Sequence, residues 1–456
     1  MSHTQMIEAI ILAAGQGTRM KSRKAKVLHH LGGKTLLQHA VDAIQPLSTS
    51  INIVIGNESK AIKNSINKDS INWILQKKQL GTGHAVQQAT SIINDEATCV
   101  ILYGDVPLIT TNTIKSLVDK SEENGFSLLS TLLNDPNGYG RIIRNKNELI
   151  KAIVEDKDAD ANERKINEIN TGIFAIQGSL LKKYITQLEP NNSQGELYLT
   201  DIVKIAVEDN VTISSLVCDN VSEVMGINDK NQLAEAERIY QQQQAKELMS
   251  KGLTIKDPNR FDCRGGLIFG KDCSVDINVV LEGENELGEN VLIAPNCIIK
   301  NAKIGDHAEI KANTIIEDAV IGSHTTIGPF ARIRPETEIG NSARIGNFVE
   351  VKKSSIDDGS KVPHLSYIGD STIGKNVNIG AGVITCNYDG VNKHQTIIED
   401  GVFIGSDTQL IAPVSIGENS TIGAGSTITQ DVPSEKLTLS RKKQKTIPDW
   451  KRKNNS

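Results

Sequence analysis

Residues 304–351 read IGDHAEIKANTIIEDAVIGSHTTIGPFARIRPETEIGNSARIGNFVEV. Branched apolar residues recur at Ile304, Ile310, Ile316, Ile321, Ile327, Ile333, Ile339, Ile345 and Val351, nearly always six apart with an occasional step of five. Glycine follows many of them, as at Gly305, Gly322, Gly340 and Gly346. A period of six matches neither an α-helix nor a lone strand. It matches a solenoid of hexapeptide repeats, a parallel β-helix with one inward aliphatic per flat side and three sides per coil. The series extends back through Val275, Leu281, Leu287, Ile293 and Ile298, and forward through Ile356, Val362, Ile368, Ile373 and Ile379. After a break it resumes at Ile404, Leu410, Ile416, Ile422 and Ile428. An aromatic content of only 4% suits a prism too narrow for large rings. The break follows Ile384, where Thr385–Gln395 loses the rhythm; a looped-out insertion on a regular solenoid is a natural binding wall.

Upstream the chain has another character. Glu8–Ala14 is a short apolar run ending at Gly15, as expected of a buried parallel strand, and Ile51–Ile55, Thr98–Tyr103, Leu149–Val154 and Ile169–Ile176 read similarly. Helical patterns at Thr35–Ile44 and Thr110–Lys120 lie between them, so residues 1–230 read as an α/β domain with a mostly parallel sheet. Residues 231–251 read as a polar, mostly solvated linker helix ending near Gly252, and residues 252–456 as the β-helix domain. With 50 basic and 55 acidic residues the net charge is −5, which excludes general nucleic-acid binding as the main role. No apolar run approaches membrane-spanning length and the first residues lack signal-peptide character, so a cytoplasmic location is expected. The six cysteines are scattered without a CxxC pair and read as reduced thiols.

Three places carry chemistry. Leu12-Ala13-Ala14-Gly15-Gln16-Gly17-Thr18-Arg19-Met20 leaves the first strand through a glycine-rich loop whose N–H groups can bind phosphate, with Arg19 as a fixed charge; a plain strand–turn–helix fits this pattern equally. Asp105 ends a buried strand, where a carboxylate can hold Mg²⁺ against a nucleotide phosphate or simply cap a helix. On the solenoid, Arg334 and Lys352 follow inward residues eighteen positions apart, so they stack on adjacent coils about 4.8 Å apart. Stacked like charges call for an anion between them, unless Glu336 and Glu350 neutralise the face. His364, two residues after inward Val362, falls one coil from Ala381, and a histidine there can take a proton from an amine.

The string LAAGQGTRM with Lys26-Val27-Leu28 resembles the signature of sugar-nucleotide pyrophosphorylases, and Gln76…Gly81-Thr82-Gly83-His84-Ala85 and Tyr103-Gly104-Asp105-Val106-Pro107-Leu108 extend that resemblance. Over almost the whole chain, with GPFARIRP, GNFVEVKK, HLSYIGD, NVNIGAGVITCNYDG, GSDTQL and Leu439-Ser440-Arg441, the sequence resembles the bifunctional bacterial GlmU family. The implied fold is a Rossmann-like nucleotidyltransferase domain followed by a left-handed parallel β-helix. The implied activity is acetyl transfer from acetyl-CoA to glucosamine 1-phosphate in the C-terminal domain. Uridylyl transfer from UTP to the N-acetylated sugar then follows in the N-terminal domain, giving UDP-N-acetylglucosamine, a precursor of peptidoglycan and lipopolysaccharide.

The resemblance also implies residue roles. In the N-terminal site Leu12, Ala13, Ala14, Gly15, Tyr103 and Gly104 contact UDP-N-acetylglucosamine; Gln76, Gly81 and Thr82 face the uracil; and Gly140, Glu155 and Asn170 contact the sugar. Lys26 and Arg19 neutralise the α-phosphate, and Asp105 and Asn228 hold Mg²⁺. In the C-terminal site His364 is the base, and Arg334, Lys352, Tyr367 and Asn378 bind glucosamine 1-phosphate. Ala381, Asn387, Tyr388, Ser406, Ala424 and Arg441 form the acetyl-CoA set, of which Asn387, with Tyr388 beside it, also meets the sugar. The family forms homotrimers whose acetyltransferase sites are shared between subunits. Four positions depart from its pattern: Ala25 where many relatives have proline, Pro363 before the histidine, and Lys442-Lys443 after Arg441. Two other readings remain at this level: a pyrophosphorylase for another nucleotide–sugar pair with a merely structural β-helix, and a non-catalytic trimeric scaffold.

Overall fold

A computed structural model describes residues 5–15, 17–56, 59–66 and 70–451, and the chain divides into two compact units, Met1–Tyr240 and Gln241–Ser456. Gln16 of the glycine-rich loop lies outside the described residues.

The first unit is a twisted sheet covered on both faces. Its strand order is Ser214–Val217, Phe126–Leu132, Glu168–Gln177, Thr98–Tyr103, Ile7–Ala13, Ser50–Ile55 and Ile71–Leu75. Ile7–Ala13 lies between two parallel neighbours and is buried along its whole length, which is why it reads as an uninterrupted apolar run. Glu168–Gln177 runs antiparallel to the strands on both sides of it. The expected strand at Leu149–Val154 is Ile150–Val154, and it pairs with Arg141–Arg144 in a ribbon off the main sheet order. Both helix starts are capped by threonine: Thr35 Oγ1 accepts from the Gln38 N–H, and Thr110 Oγ1 from that of Thr113.

The helix at the unit boundary, Lys230–Ser250, is less solvated than its composition suggests. Ala236 joins Leu31, Leu36, Leu108 and Ile227 in the first unit, while Ala245 and Leu248 join the solenoid core. Gln241 is fully buried; its amide accepts from the Cys263 N–H at 2.7 Å and donates to the Cys263 carbonyl at 3.2 Å. Hydropathy marks Leu248 but not Gln241, whose burial depends on these two hydrogen bonds.

The second unit is a left-handed β-helix built from two all-parallel sheets of 11 and 17 strands. The inward positions stack as the period requires: Ile333 pairs with Val351 and Val351 with Ile368, all fully buried. One expected inward residue is wrong. Ile298 is 40% exposed, and Ile299 is the buried partner of Leu281. Two adjacent isoleucines leave the hydropathy pattern undecided, and stacking on the neighbouring coils decides it. The break is also shorter than it reads, because Thr385 keeps an inward place with no exposure and Thr396–Ile398 rejoins the ladder beside Ser371–Ile373. All six cysteines are free thiols.

The inward assignment carries a stability test. Ile299→Ala should cost about 2–4 kcal/mol in the β-helix unfolding transition, whereas Ile298→Ala should cost well under about 1 kcal/mol. Denaturant unfolding followed by circular dichroism distinguishes them, and equal effects would reverse the assignment.

Candidate active sites

In the first unit the carboxyl ends of the central strands open into two adjoining cavities. One, of about 280 Å³, is lined by Leu12, Ala13, Ala14, Gly15, Lys26, Gln76, Gly81, Thr82, Tyr103 and Asp105 among others. The second, of about 360 Å³, is lined by Gly140, Glu155 and Asn170, with Thr82 and Tyr103 common to both. The residues expected for nucleotide and for sugar therefore fall into two neighbouring cavities. Gly104 sits behind them, its N–H donating to the Leu12 carbonyl at 3.0 Å.

Lys26 is the node of the first cavity. Its ammonium forms an ion pair with Asp105, both side chains being about 85% buried, and donates to Asn228 Oδ1 at 3.1 Å. Arg19 donates to the same Asn228 oxygen at 2.9 Å. Gly17 adopts φ 60°, and a Cβ there would stand 2.6 Å from Lys26 Cβ, so glycine lets the loop close over the lysine. Ala25 already holds φ −54° and ψ 142°, the conformation that proline would impose, so the departure from the family pattern leaves the turn in place.

Asp105 and Asn228 present two oxygen donors that converge on one point, now taken by a cationic nitrogen. That donor set fits Mg²⁺, which is commonly held by one or two carboxylates plus substrate phosphates. Among the described residues no group of three or more His, Cys, Asp or Glu side chains could hold a metal. In the second cavity burial raises the pKa of Glu155, although Thr200 donates to its Oε1 at 3.1 Å. Tyr103 is driven above the ordinary tyrosine range, first by burial and then by the charges of Glu155 and Asp105.

On the β-helix, His364, Ala381, Ser406 and Ala424 form one column along a corner. The N–H of Gly382 donates to the His364 carbonyl, that of Asp407 to Ala381 and that of Gly425 to Ser406. Arg441 closes the column, donating to the Ala424 carbonyl at 3.1 Å. His364 Nδ1 lies 2.8 Å from Asn347 Oδ1 one coil below. With the Asn347 oxygen turned to the ring, Nδ1 is the donor and Nε2 of the neutral imidazole is the acceptor. Asn347 was missed by the sequence reading, although counting one coil back from His364 would have found it.

Arg334 and Lys352 occupy neighbouring coils as expected. Glu350 pairs with Arg334 at 2.8 Å, so part of that charge is already balanced. Lys393, a second residue the sequence reading missed, comes from the insertion to lie against Lys352; that neighbouring ammonium, with burial and the charge of Arg334 adding to the effect, holds Lys352 below the usual lysine range. Asn387 is buried and donates to Asp370, while Tyr388 is exposed and turns its hydroxyl onto the Gly390 carbonyl at 2.6 Å. Asp389 braces the insertion, accepting from His394 and from the N–H groups of Val391 and Asn392, contacts that lower its pKa to about 2. Asn378 is not on this face: it pairs with Lys361 and Phe403 in the other sheet, across the corner that His364 occupies.

Comparison with known proteins then decides the family. Residues 9–155 match the MobA-like NTP transferase domain, residues 315–406 the GMPPB C-terminal domain, and residues 395–430 the bacterial transferase hexapeptide (six repeats). The bifunctional protein GlmU of Ruthia magnifica is 57% identical over 446 residues, 98% of each chain. That of Vesicomyosocius okutanii is 58% identical over 441 residues, covering 97% of this chain and 98% of its own. That of Marinobacter nauticus is 51% identical over 447 residues, 98% of each. The chain belongs to the GlmU family. It is a bifunctional enzyme with acetyltransferase and uridylyltransferase activities, and a structural-only β-helix and a dead scaffold are both set aside. Consistent with two GlmU activities, the two constellations are built from separate elements: the sheet ends of the first unit and one corner of the solenoid.

Gly369 offers a test of the second constellation. A Cβ there would stand 2.5 Å from the Tyr367 hydroxyl and 2.8 Å from Asn387 Nδ2. Gly369→Ala should lower acetyl transfer about 100-fold, as a misplacement of about 1 Å does, and spare uridylyl transfer. Equal loss of both rates would show a general folding defect instead.

Proposed function

We propose that residues 252–456 acetylate glucosamine 1-phosphate and residues 1–230 couple the product to UTP, in the cytoplasm, through the residues described above. The observation that carries the acetyl-transfer half is the His364 column. With Asn347 holding Nδ1–H, His364 Nε2 can take the proton as the sugar amine attacks the thioester carbonyl. The C–N bond forms, the C–S bond breaks, and CoA leaves as the thiolate. Three coil steps separate His364 from Ala424, about 14 Å of backbone edge for the extended arm of acetyl-CoA. Arg334, Lys352 and Lys393 supply converging cations for the sugar phosphate, and Arg441 with Lys442 and Lys443 supplies cations beyond the end of the column.

In the N-terminal domain a sugar phosphate oxygen attacks the α-phosphorus of UTP and pyrophosphate leaves. Lys26 and Arg19 lie where charge builds on the α-phosphate, and the loop through Gly15 offers backbone N–H groups. Asp105 and Asn228 would hold Mg²⁺; when bound, its chemistry is to neutralise and orient the phosphates. Positioning by Gln76, Glu155 and Asn170 does most of the remaining work. The product class is the activated amino sugar from which peptidoglycan and lipopolysaccharide are built.

A homotrimer is supported by the corner that carries His364. Phe330, Phe348 and Leu365 stand on it at φ 57°, 56° and 50°, each at least half exposed, with the two rings stacked at 5.3 Å. The same column elsewhere carries Asn278, Asn296, Asn313, Gly382 and Asp407, residue types that tolerate the left-handed region. Bulky apolar side chains in a strained, wet position beside the base call for cover by a second copy. Sharing the site with that copy would also bring in residues such as Asn378 that one chain leaves across the corner.

Two experiments test this reading. Incubation with glucosamine 1-phosphate, acetyl-CoA, UTP and Mg²⁺ should give UDP-N-acetylglucosamine, and omission of acetyl-CoA should abolish it. Asp105→Asn should remove uridylyl transfer alone, and His364→Ala should lower acetyl transfer alone by about 10²–10⁴-fold. An unchanged acetylation rate would remove His364 from the base role. Separately, Phe348→Glu should convert the trimer to monomer in sedimentation velocity, with acetyl transfer lost and uridylyl transfer kept. A trimer that persists with full activity would place the interface elsewhere.

A further inference from the structure

The nucleotide cavity contains a short hydrogen-bond chain whose polarity is determined inside the fold. Gln76 follows strand Ile71–Leu75, is only 3% exposed, and is anchored by its N–H to the Ile55 carbonyl at 2.9 Å. Its side-chain Nε2 lies 3.2 Å from the Gly81 carbonyl oxygen and 3.0 Å from His84 Nδ1. Amide oxygen and nitrogen are alike in shape, so their assignment rests on what surrounds them. A carbonyl only accepts, and the amide atom facing Gly81 must therefore be the NH₂ group.

The Gly81 carbonyl is itself a fixed reference. Gly81 adopts φ 110°, and a Cβ there would stand 2.4 Å from the Leu197 carbonyl oxygen. The segment is clamped on both sides, by the Leu197 N–H on the Leu80 carbonyl and the Gly83 N–H on the Leu197 carbonyl, each at 2.8 Å. With one amide proton on Gly81, the other points at His84 Nδ1, which can accept it only as the neutral ring with its proton on Nε2. Nε2 faces the Gln88 amide at 3.3 Å. That amide also contacts the His84 carbonyl, again at 3.3 Å, and it is only half-buried; a neutral imidazole has one acceptor, and the shorter contact, from the buried amide that Gly81 locks, takes it. Among the described residues no hydrogen bond reaches Gln76 Oε1, and Gln76 lines the cavity beside Gly81 and Thr82.

We propose that His84 is the positioning residue for base selection in uridylyl transfer: its Nδ1 holds the Gln76 amide with the oxygen turned toward the base. A site presenting a lone acceptor there takes a base with an N–H on its pairing edge, as at N3 of uracil. It opposes a base with a lone pair at that place, as at N3 of cytosine. His84 does this without touching the nucleotide. The inference rests on Gln76 facing the base and adds the group that orients it.

The test is steady-state kinetics of the full-length enzyme with UTP and CTP, comparing wild type with His84→Leu, His84→Asn and Gln76→Leu. His84→Leu should raise KM for UTP about tenfold and shrink the UTP/CTP ratio of kcat/KM by a similar factor, with kcat changing less than KM. His84→Asn, whose Oδ1 can stand where Nδ1 was, should restore most of both. If Gln76→Leu leaves KM and the ratio unmoved, Gln76 does not face the base and the underlying reading falls. If Gln76→Leu moves them but His84→Leu does not, that reading stands and the orienting role of His84 is overturned. A His84→Leu enzyme that loses kcat with the ratio intact also overturns it, by showing a purely structural role.

Discussion

The second unit depends on one constraint: a buried aliphatic must sit directly above another, one coil down, for the whole length of the prism. Ile333, Val351 and Ile368 meet it without exposure, and so does nearly every other inward position. Once the core column is in register, every residue at a given offset from it is in register too. Apolar burial of about 25 cal/mol per Å² thus does more than stabilise the coils; it aligns the polar groups outside them. His364, Ala381, Ser406 and Ala424 owe their common line to this, as do Arg334 and Lys352. The insertion works because the coils on either side of it do not lose register: Ile373 pairs with Ile398 across the longer turn, and Asn387–Gln395 is free to project Lys393 and Tyr388.

The first unit is organised differently. Its site gathers residues from distant parts of the chain at the ends of parallel strands, and Lys26 ties them together through Asp105 and Asn228. Two acceptors from distant parts of the chain meet at one ammonium, which holds them close together. The glycines serve close approach: Gly17 against Lys26, and Gly172, where a Cβ would stand 2.5 Å from the Tyr103 ring. In both units, then, charged groups are brought together against their mutual repulsion or desolvation by a backbone whose own core sets the positions.

Much of this was legible in order along the chain. The period of six named the solenoid and nearly all of its inward residues, because each repeat is local and each inward side chain is a branched aliphatic. It failed at Ile298, where the adjacent Ile299 is equally apolar and only stacking chooses between them. The linker helix reads as mostly solvated, yet Gln241 is buried along with Ala236, Ala245 and Leu248; its amide satisfies both backbone groups of Cys263, a pairing no hydropathy scale records. The N-terminal cavity residues were named from a motif resemblance and lie where the strand ends open, since loops at the carboxyl ends of parallel strands converge by topology.

The sequence by itself determined the two architectures, the order of the domains and the residue types available for each reaction. Those properties are local: a strand, a glycine turn or a hexapeptide declares itself within a few residues. Only the tertiary structure decided which partners those residues meet. Asn347 on His364, Glu350 on Arg334, Lys393 on Lys352 and His84 on Gln76 are side-chain contacts whose distances depend on register, and Asn228 reaches Lys26 across 202 positions. Protonation state, tautomer and charge balance follow from such contacts, because Coulomb and hydrogen-bond energies fall off within a few ångströms. No spacing along a chain measures that distance.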